Sequence, residues 1–462
     1  MRHEISVSTL AAALLAALGT VPFAAPAATI AVTTTGDSGG SADCTLRQAI
    51  ASMNTGAVAA GCMASGNFGE NDTINFNTTE FPNGSANIIT LGGSQLAING
   101  YGLNLAIDAS ANGNVTIDAG QSSRAMYDSS GLGGSLTLDH LTVRNGKATS
   151  NDCLGAANGG GICVSGASLA LVDSTVTGNA AAKNGGGIYA QYGNLTLTRS
   201  TLSGNSAFNG GGIAADGSNT TLTDSSVSGN SAVGSSSGPV GGGGIYAKLG
   251  SVTLLRSTLN GNTASGFGGG ILALANLTMS NSTLSGNSAY AGGALLLPSG
   301  GSSSISFRQT TVAGNTAARV AGGLLMLPTG SGLGTINMTN SLFASNNGGN
   351  IYALASGGVV TIAGSGNLVF GNASSGVVFA NAPLTGDPKL TNLGNFGGLT
   401  RVMFPMPGSA AIDAITPVSG QCLVPKDQRG VARPQGAGCD IGAVEADATT
   451  SHDFIFANGF EP

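Results

Sequence analysis

Four charged residues stand in register within a chain where only 8% of residues are charged. Asp173, Arg199, Asp224 and Arg256 each occur three positions before an apolar residue of a recurring phrase, seen as DSTV, RSTL, DSSV and RSTL. His140, Asn281, Gln309 and Asn340 hold the same place in the flanking copies. If the copies stack at the spacing of neighbouring strands, Asp173 and Asp224 come about 9.6 Å apart, near the separation of the two carboxyl groups of an inverting glycosidase. Arg199 falls between them, however, and a guanidinium beside a carboxylate holds it ionised, whereas such a pair must include a proton donor. The expectation is therefore an outer charge ladder of Asp173, Arg199, Asp224 and Arg256 that sets register at roughly 0.2–1 kcal/mol per pair. Asp173 and Asp224 stand as the candidate catalytic pair, and no catalytic role is assigned to either.

Other chemistry-bearing residues are read as structural. Asp108 in AIDAS and Asp118 in TIDAG sit where a strand meets a turn, a context in which Asp accepts from backbone amides. The GGGI phrases have no following helix whose N-terminus could face a phosphate, and they lack the Asp of the calcium-binding nonapeptide repeat; tight corners are their expected use. An isolated surface calcium site is left open at Asp37 with Asp43, or Asp427 with Asp440. His3, His140 and His452 are far apart in sequence and there is no C-x-x-C, so no metal site is assigned, and no cofactor. The six cysteines fall into sequence-local pairs, Cys44 with Cys62, Cys153 with Cys163 and Cys422 with Cys439; in an oxidising compartment disulfides between them are the expectation, proximity being the only guide among 15 pairings.

The elements that must carry these residues follow from one repeated phrase between about Ser135 and Asn347, as in LTLTRSTLSGNSAFNGGGIAA. Its turn asparagine falls at Asn179, Asn205, Asn230, Asn262, Asn287, Asn315 and Asn346, in steps of 26, 25, 32, 25, 28 and 31 residues. A period in the twenties with the excess confined to a few places marks a solenoid. Each unit holds an alternating strand such as Leu195–Thr198, a second strand carrying Leu202 or its equivalent, and a third strand introduced by glycines and carrying Ile213 or its equivalent. Three strands in about 25 residues make one coil of a parallel β-helix, filled by stacked Leu, Val and Ile. The asparagines are expected to form an internal ladder, each amide donating to one neighbour and accepting from another.

Composition agrees. There are 77 Gly, 5% aromatic residues and no Trp among 462 residues, which excludes a large aromatic core covered by charged helices. A net charge of -6 leaves no basic footprint for nucleic acid. Arg2, the apolar stretch Leu10 to Leu18 and the A-x-A site at Ala25 to Ala27 read as a secretory signal over 1–27, and no transmembrane helix is expected after its removal.

These residues resemble exported bacterial right-handed parallel β-helix proteins with polymorphic-outer-membrane-protein-like repeats. Cys44-Thr45-Leu46-Arg47-Gln48-Ala49 is similar to the CSLREA segment that opens many of them, with its hallmark altered. DPKLTNLGNFGG from Asp387, PGSAAIDA from Pro407 and DQRGVARPQGAGCDIGAVE from Asp427 resemble the choice-of-anchor Q domain that follows such solenoids, and DFIFANGFEP resembles a short tail of related Gram-negative proteins. The division expected is 1–27 signal, 28–71 N-terminal cap, 72–385 β-helix, 386–446 C-terminal capping module and 447–462 tail. What the resemblance implies is location and shape, a secreted or cell-surface rod, rather than chemistry. The function expected of such a rod here is non-enzymatic and adhesin-like, with a polysaccharide, surface glycan or cell-surface molecule met by rows of Ser, Thr and Asn and a contact loop around 232–241. A secreted polysaccharide lyase or glycoside hydrolase is the first rival, and a passive surface or matrix component the second.

Overall fold

The computed structural model describes residues 26–446 apart from 41, 70, 151–152, 235–239, 300–303, 329–334, 355–358, 373 and 418–421. The expected signal up to residue 25, the tail 447–462 and the centre of the 232–241 expansion lie outside the described residues.

Alternation of apolar with small polar residues turns one side of each strand inward. Leu195 and Leu197 are fully buried while Thr196 and Thr198 between and beyond them are partly exposed. One coil runs Ile188–Gln191, Leu195–Thr198, Thr201–Ser203 and Ser206–Ala207. Each strand pairs in parallel with its copy in the next coil: Ile188 with Ile213, Leu195 with Thr220, Leu202 with Val227 and Ser206 with Ser231. The chain is an all-β parallel β-helix. The first two strands of each coil lie in a 22-stranded sheet, the third in an 11-stranded sheet and the short fourth in a 7-stranded sheet. That fourth strand adds to the three expected; at two residues in most coils it is too short to leave a periodic signal.

Files of identical side chains fill the interior. Ile162, Ile188, Ile213, Ile245 and Ile271 follow one another down the solenoid with no exposure, each contributing about 1.5–3 kcal/mol by burial. The glycine phrases serve two ends rather than the one expected. Gly185 takes a left-handed φ of 68°, which only glycine adopts without strain. Its neighbour Gly186 is instead a close-approach site, where a Cβ would lie 2.4 Å from the carbonyl oxygens of both Gly211 and Ser206.

At the N-terminal end, Thr29–Val32 pairs in parallel with Asp72–Phe76, so the first rung begins within 28–71. Helix Leu46–Thr55 starts at Thr45 with a reciprocal capping box to Gln48 and stops at Gly56 in left-handed conformation. Its buried face, Leu46, Ala49, Ile50 and Met53, joins the solenoid core. The altered hallmark Cys44 to Ala49 is thus the capped start of this helix. No described helix is long and apolar enough to cross a membrane.

The C-terminal module turns back along the flank of the solenoid instead of crossing its end. After Val377–Phe379, the last strand of the first sheet, Leu384 bridges Leu368, and the chain then returns over the outer face of the 11-stranded sheet. Thr258, Thr283, Thr311 and Asn340, from four coils, all bond to it. The outward side chains of that sheet change to suit: Thr175 with Thr177, Thr201 with Ser203 and Ser226 with Ser228 are partly exposed, whereas Ala313, Leu342, Ala344 and Leu368 are buried in a second core with Ala411 and Ile441. The three expected disulfides are formed, Cys44–Cys62, Cys153–Cys163 and Cys422–Cys439.

Candidate functional site

The charged column occupies the turn between the second and third strands of each coil, and backbone geometry defines it. His140, Asp173, Arg199, Asp224, Arg256, Asn281, Gln309 and Asn340 all have φ between 45° and 53°. A non-glycine residue there costs roughly 1–2 kcal/mol, so a position that keeps a side chain in eight coils has a use for that side chain. The column is legible in the sequence but its left-handed backbone is not, because Arg and Gln carry no such signature.

Stacking converts the column into two pairs rather than a continuous ladder. Arg199 Nε donates to Asp173 Oδ1 at 2.8 Å and its Nη2 to Oδ2. Arg256 repeats the fork on Asp224, at 2.7 Å for both bonds. No ion pair joins Arg199 to Asp224 among the described residues. The hydrogen bonds from Arg199 hold the Asp173 carboxyl below its ordinary range. Each candidate catalytic carboxylate therefore has both oxygens engaged by a guanidinium.

His140 is not isolated. Its Nδ1 lies 2.5 Å from Asp139 Oδ1, and stacking brings Asp173 beside them, so Asp139, His140 and Asp173 place ligand-competent atoms within 4.8 Å of one another. Arg199 already occupies both oxygens of the third member, which sets a cation there against a fixed guanidinium. Of the two calcium alternatives, the first has Asp37 engaged and Asp43 exposed, and the second is buried. Asp37 accepts from Arg47 and from Gly92 N. Asp427 and Asp440 are fully buried, with Asp427 accepting from Arg429 and backbone amides. Asp108 and Asp118 accept from the amides of Ser110 and Gly120, respectively.

Where the module covers the column, charge gives way to neutral amides. Asn281 Nδ2 donates to the Lys426 carbonyl at 2.6 Å, its Oδ1 faces Arg433 Nη2 at 3.4 Å, and Gln309 is fully buried. At the boundary between bare and covered coils a cleft of about 570 Å³ opens, lined by Asp224, Leu255, Arg256 and Asn281 from the solenoid and by Leu399, Val424, Pro425, Lys426, Gln428, Arg429 and Gly430 from the module. Three cations, Arg256, Lys426 and Arg429, face it against Asp224 and the buried Asp427, leaving one positive charge in excess. Arg429 is spent on Asp427, the Glu445 carbonyl and the face of Phe404. The free donors are Lys426 Nζ and Arg256 Nη1, neither of which bonds to a described residue.

The asparagines lie inside, at 0–1% exposure. Asn179, Asn205, Asn230, Asn262, Asn287 and Asn315 each donate through Nδ2 to Oδ1 of the next, at 2.9 Å throughout, ending with Asn346 on Asn350. A second file runs beside it, in which the backbone N of Ser174, Ser200, Ser225 and Ser257 donates to the hydroxyl of the next. The serine after each Asp or Arg of the column was its visible signal. Both files close on themselves and present nothing to a ligand.

The module's sequence signature is the clasp that seats it. Gln428 Nε2 donates to Thr258 and Thr400 and its Oε1 accepts from Thr283. Arg433 pairs with Glu445, both side chains without exposure. Asp440 accepts from the amides of Asp413 and Ala446, and burial, with Glu445 nearby, pushes its carboxyl up to about 7.

The family described as right-handed β-helix region matches residues 125–317, which covers the central coils and supports right-handed winding. Among solved structures, the crystal structure of pectate lyase Pel9A is similar at 14% identity and a TM-score of 0.44, over 91% of this chain and 96% of that one. No curated protein matches.

Proposed function

We propose that this protein is an exported, non-enzymatic rod, displayed at or released from the surface of a Gram-negative bacterium, that holds saccharides against its flank. The engagement of Asp173 and Asp224 carries the reading. A general acid must hold a transferable proton, and a carboxylate that accepts from Arg199 or Arg256 on both oxygens has none to give. What stays accessible is polar and regular: Thr196, Thr221, Thr253 and Thr278 stand in register on the outer face of the second strand. Their hydroxyls both donate and accept, as sugar recognition requires. The module covers the 11-stranded sheet beside this row, where Thr258, Thr283 and Thr311 are buried, and leaves Thr253 and Thr278 of the same coils accessible.

A glycan array run beside a degradation screen tests the proposal. Binding to one or more glycans without new reducing ends or unsaturated products is expected from acidic and neutral polysaccharides alike. Degradation that disappears in Asp173→Ala or Asp224→Ala would replace the proposal with the lyase or hydrolase alternative.

A further inference from the structure

We infer that the cleft between the module and the coils of Asp224 and Arg256 binds a carboxylated saccharide, with Lys426 as its principal anion contact. The inference rests on the saccharide-holding reading above and assigns it a site and a ligand class. In a chain of net charge -6, a cleft with excess positive charge is set apart from its surroundings, and it opposes neutral and cationic ligands differently from anionic ones. Its free donors are the exposed Lys426 ammonium and the remaining Nη1 of Arg256, whose position is fixed by the fork on Asp224. Both Arg256 and Asp224 are part-buried, so the donor is preorganised and loses little freedom on binding.

The rest of the lining supplies the other half of a sugar acid. Leu255, Leu399, Val424 and Pro425 form an apolar wall, with Leu399 exposed by 66%. A pyranose ring carries C–H faces that such a wall desolvates, while its carboxylate reaches the cations. The volume of about 570 Å³ lies within the range of small-ligand clefts and suits a short segment of a chain. A peptide without acidic groups would use a free strand edge, a helix groove or an aromatic-lined groove, and the lining provides none of these; an acidic peptide is the competitor that tri-glutamate represents.

Titration calorimetry on the full chain, with a trimer of galacturonate and a neutral galactose trimer as probes, decides the matter. The acidic trimer is expected to bind at least about tenfold more tightly than the neutral one and to weaken as ionic strength rises. Lys426→Glu should cost about tenfold or more, Lys426→Arg should stay within about threefold, and both should unfold as the parent does, since Lys426 is exposed. Unchanged affinity in Lys426→Glu, with the acidic trimer still bound, overturns the site while leaving the saccharide reading intact. Equal binding of tri-glutamate overturns the ligand class. Absence of binding by any saccharide, on the array or in the calorimeter, removes both.

Discussion

Replacing Asn262 by Ala tests whether the buried amide file holds the coils together. The side chain has no exposure and makes four hydrogen bonds: Nδ2 to the Val227 carbonyl and to Asn287 Oδ1, both at 2.9 Å, and Oδ1 from Asn230 N at 3.0 Å and Asn230 Nδ2 at 2.9 Å. The losses are unequal. Asn230 Nδ2 keeps the Leu202 carbonyl and Asn287 Oδ1 keeps Asn262 N, so those groups give up about 1 kcal/mol each. The Asn230 amide is left buried without an acceptor, at a cost of about 1–3 kcal/mol. The Val227 carbonyl also loses its bond from Nδ2, about 1 kcal/mol more, so the sum is a destabilisation of about 4–6 kcal/mol. Because stability in a solenoid is a sum of units and their interfaces, the loss should appear as a lower urea midpoint and as faster amide exchange in the coils of Asn230 and Asn287. Asn219→Ala is the control, its side chain being exposed with bonds only to Asn194 and Ser251, and it should fall within about 0.5 kcal/mol of the parent. Indistinguishable midpoints for the two variants would refute the reasoning.

Two further outcomes concern the module. Gln428→Ala removes two buried bonds that cross to Thr258 and Thr283 and a third to Thr400 within the module, so the module should loosen by about 2–4 kcal/mol; limited proteolysis should cut within 386–446 before the solenoid unfolds, and unchanged resistance would count against the clasp. For pH, Asp440 keeps its proton in the folded state up to about 7, whereas the unfolded chain releases it near 4. Below 4 both states hold the proton and the site exerts no penalty; between 4 and 7 only the folded state holds it, so stability falls as pH rises. The module's melting temperature should therefore decline across that window and level off above it, and a rise over the same interval would contradict the assignment.

The architecture was legible in the sequence because a solenoid is periodic. A coil of about 25 residues buries the same positions each time, and Leu202, Val227 and Leu259 recur where the third strand of each coil turns inward. The asparagine and cysteine positions could likewise be read from recurrence and proximity. The change on the outer face of the 11-stranded sheet, from TVT and TLS to TVA, LFA and LVF, was also present as a signal that something apolar covers the later coils.

Stacking and long-range return of the chain decided the rest. Sequence order places Asp139 and His140 33 or more residues from Asp173, yet one rung joins them, and this set the neighbours of the only described histidine. Pairing Arg199 with Asp173 and Arg256 with Asp224, rather than one unbroken ladder, depended on rotamers that no pattern encodes. The cleft arises only where the module meets bare coils, from residues as distant as Asp224 and Lys426. Local periodicity specifies a repeating backbone because each coil sees the same environment; a site built where that periodicity is interrupted depends on contacts between parts of the chain that share no pattern.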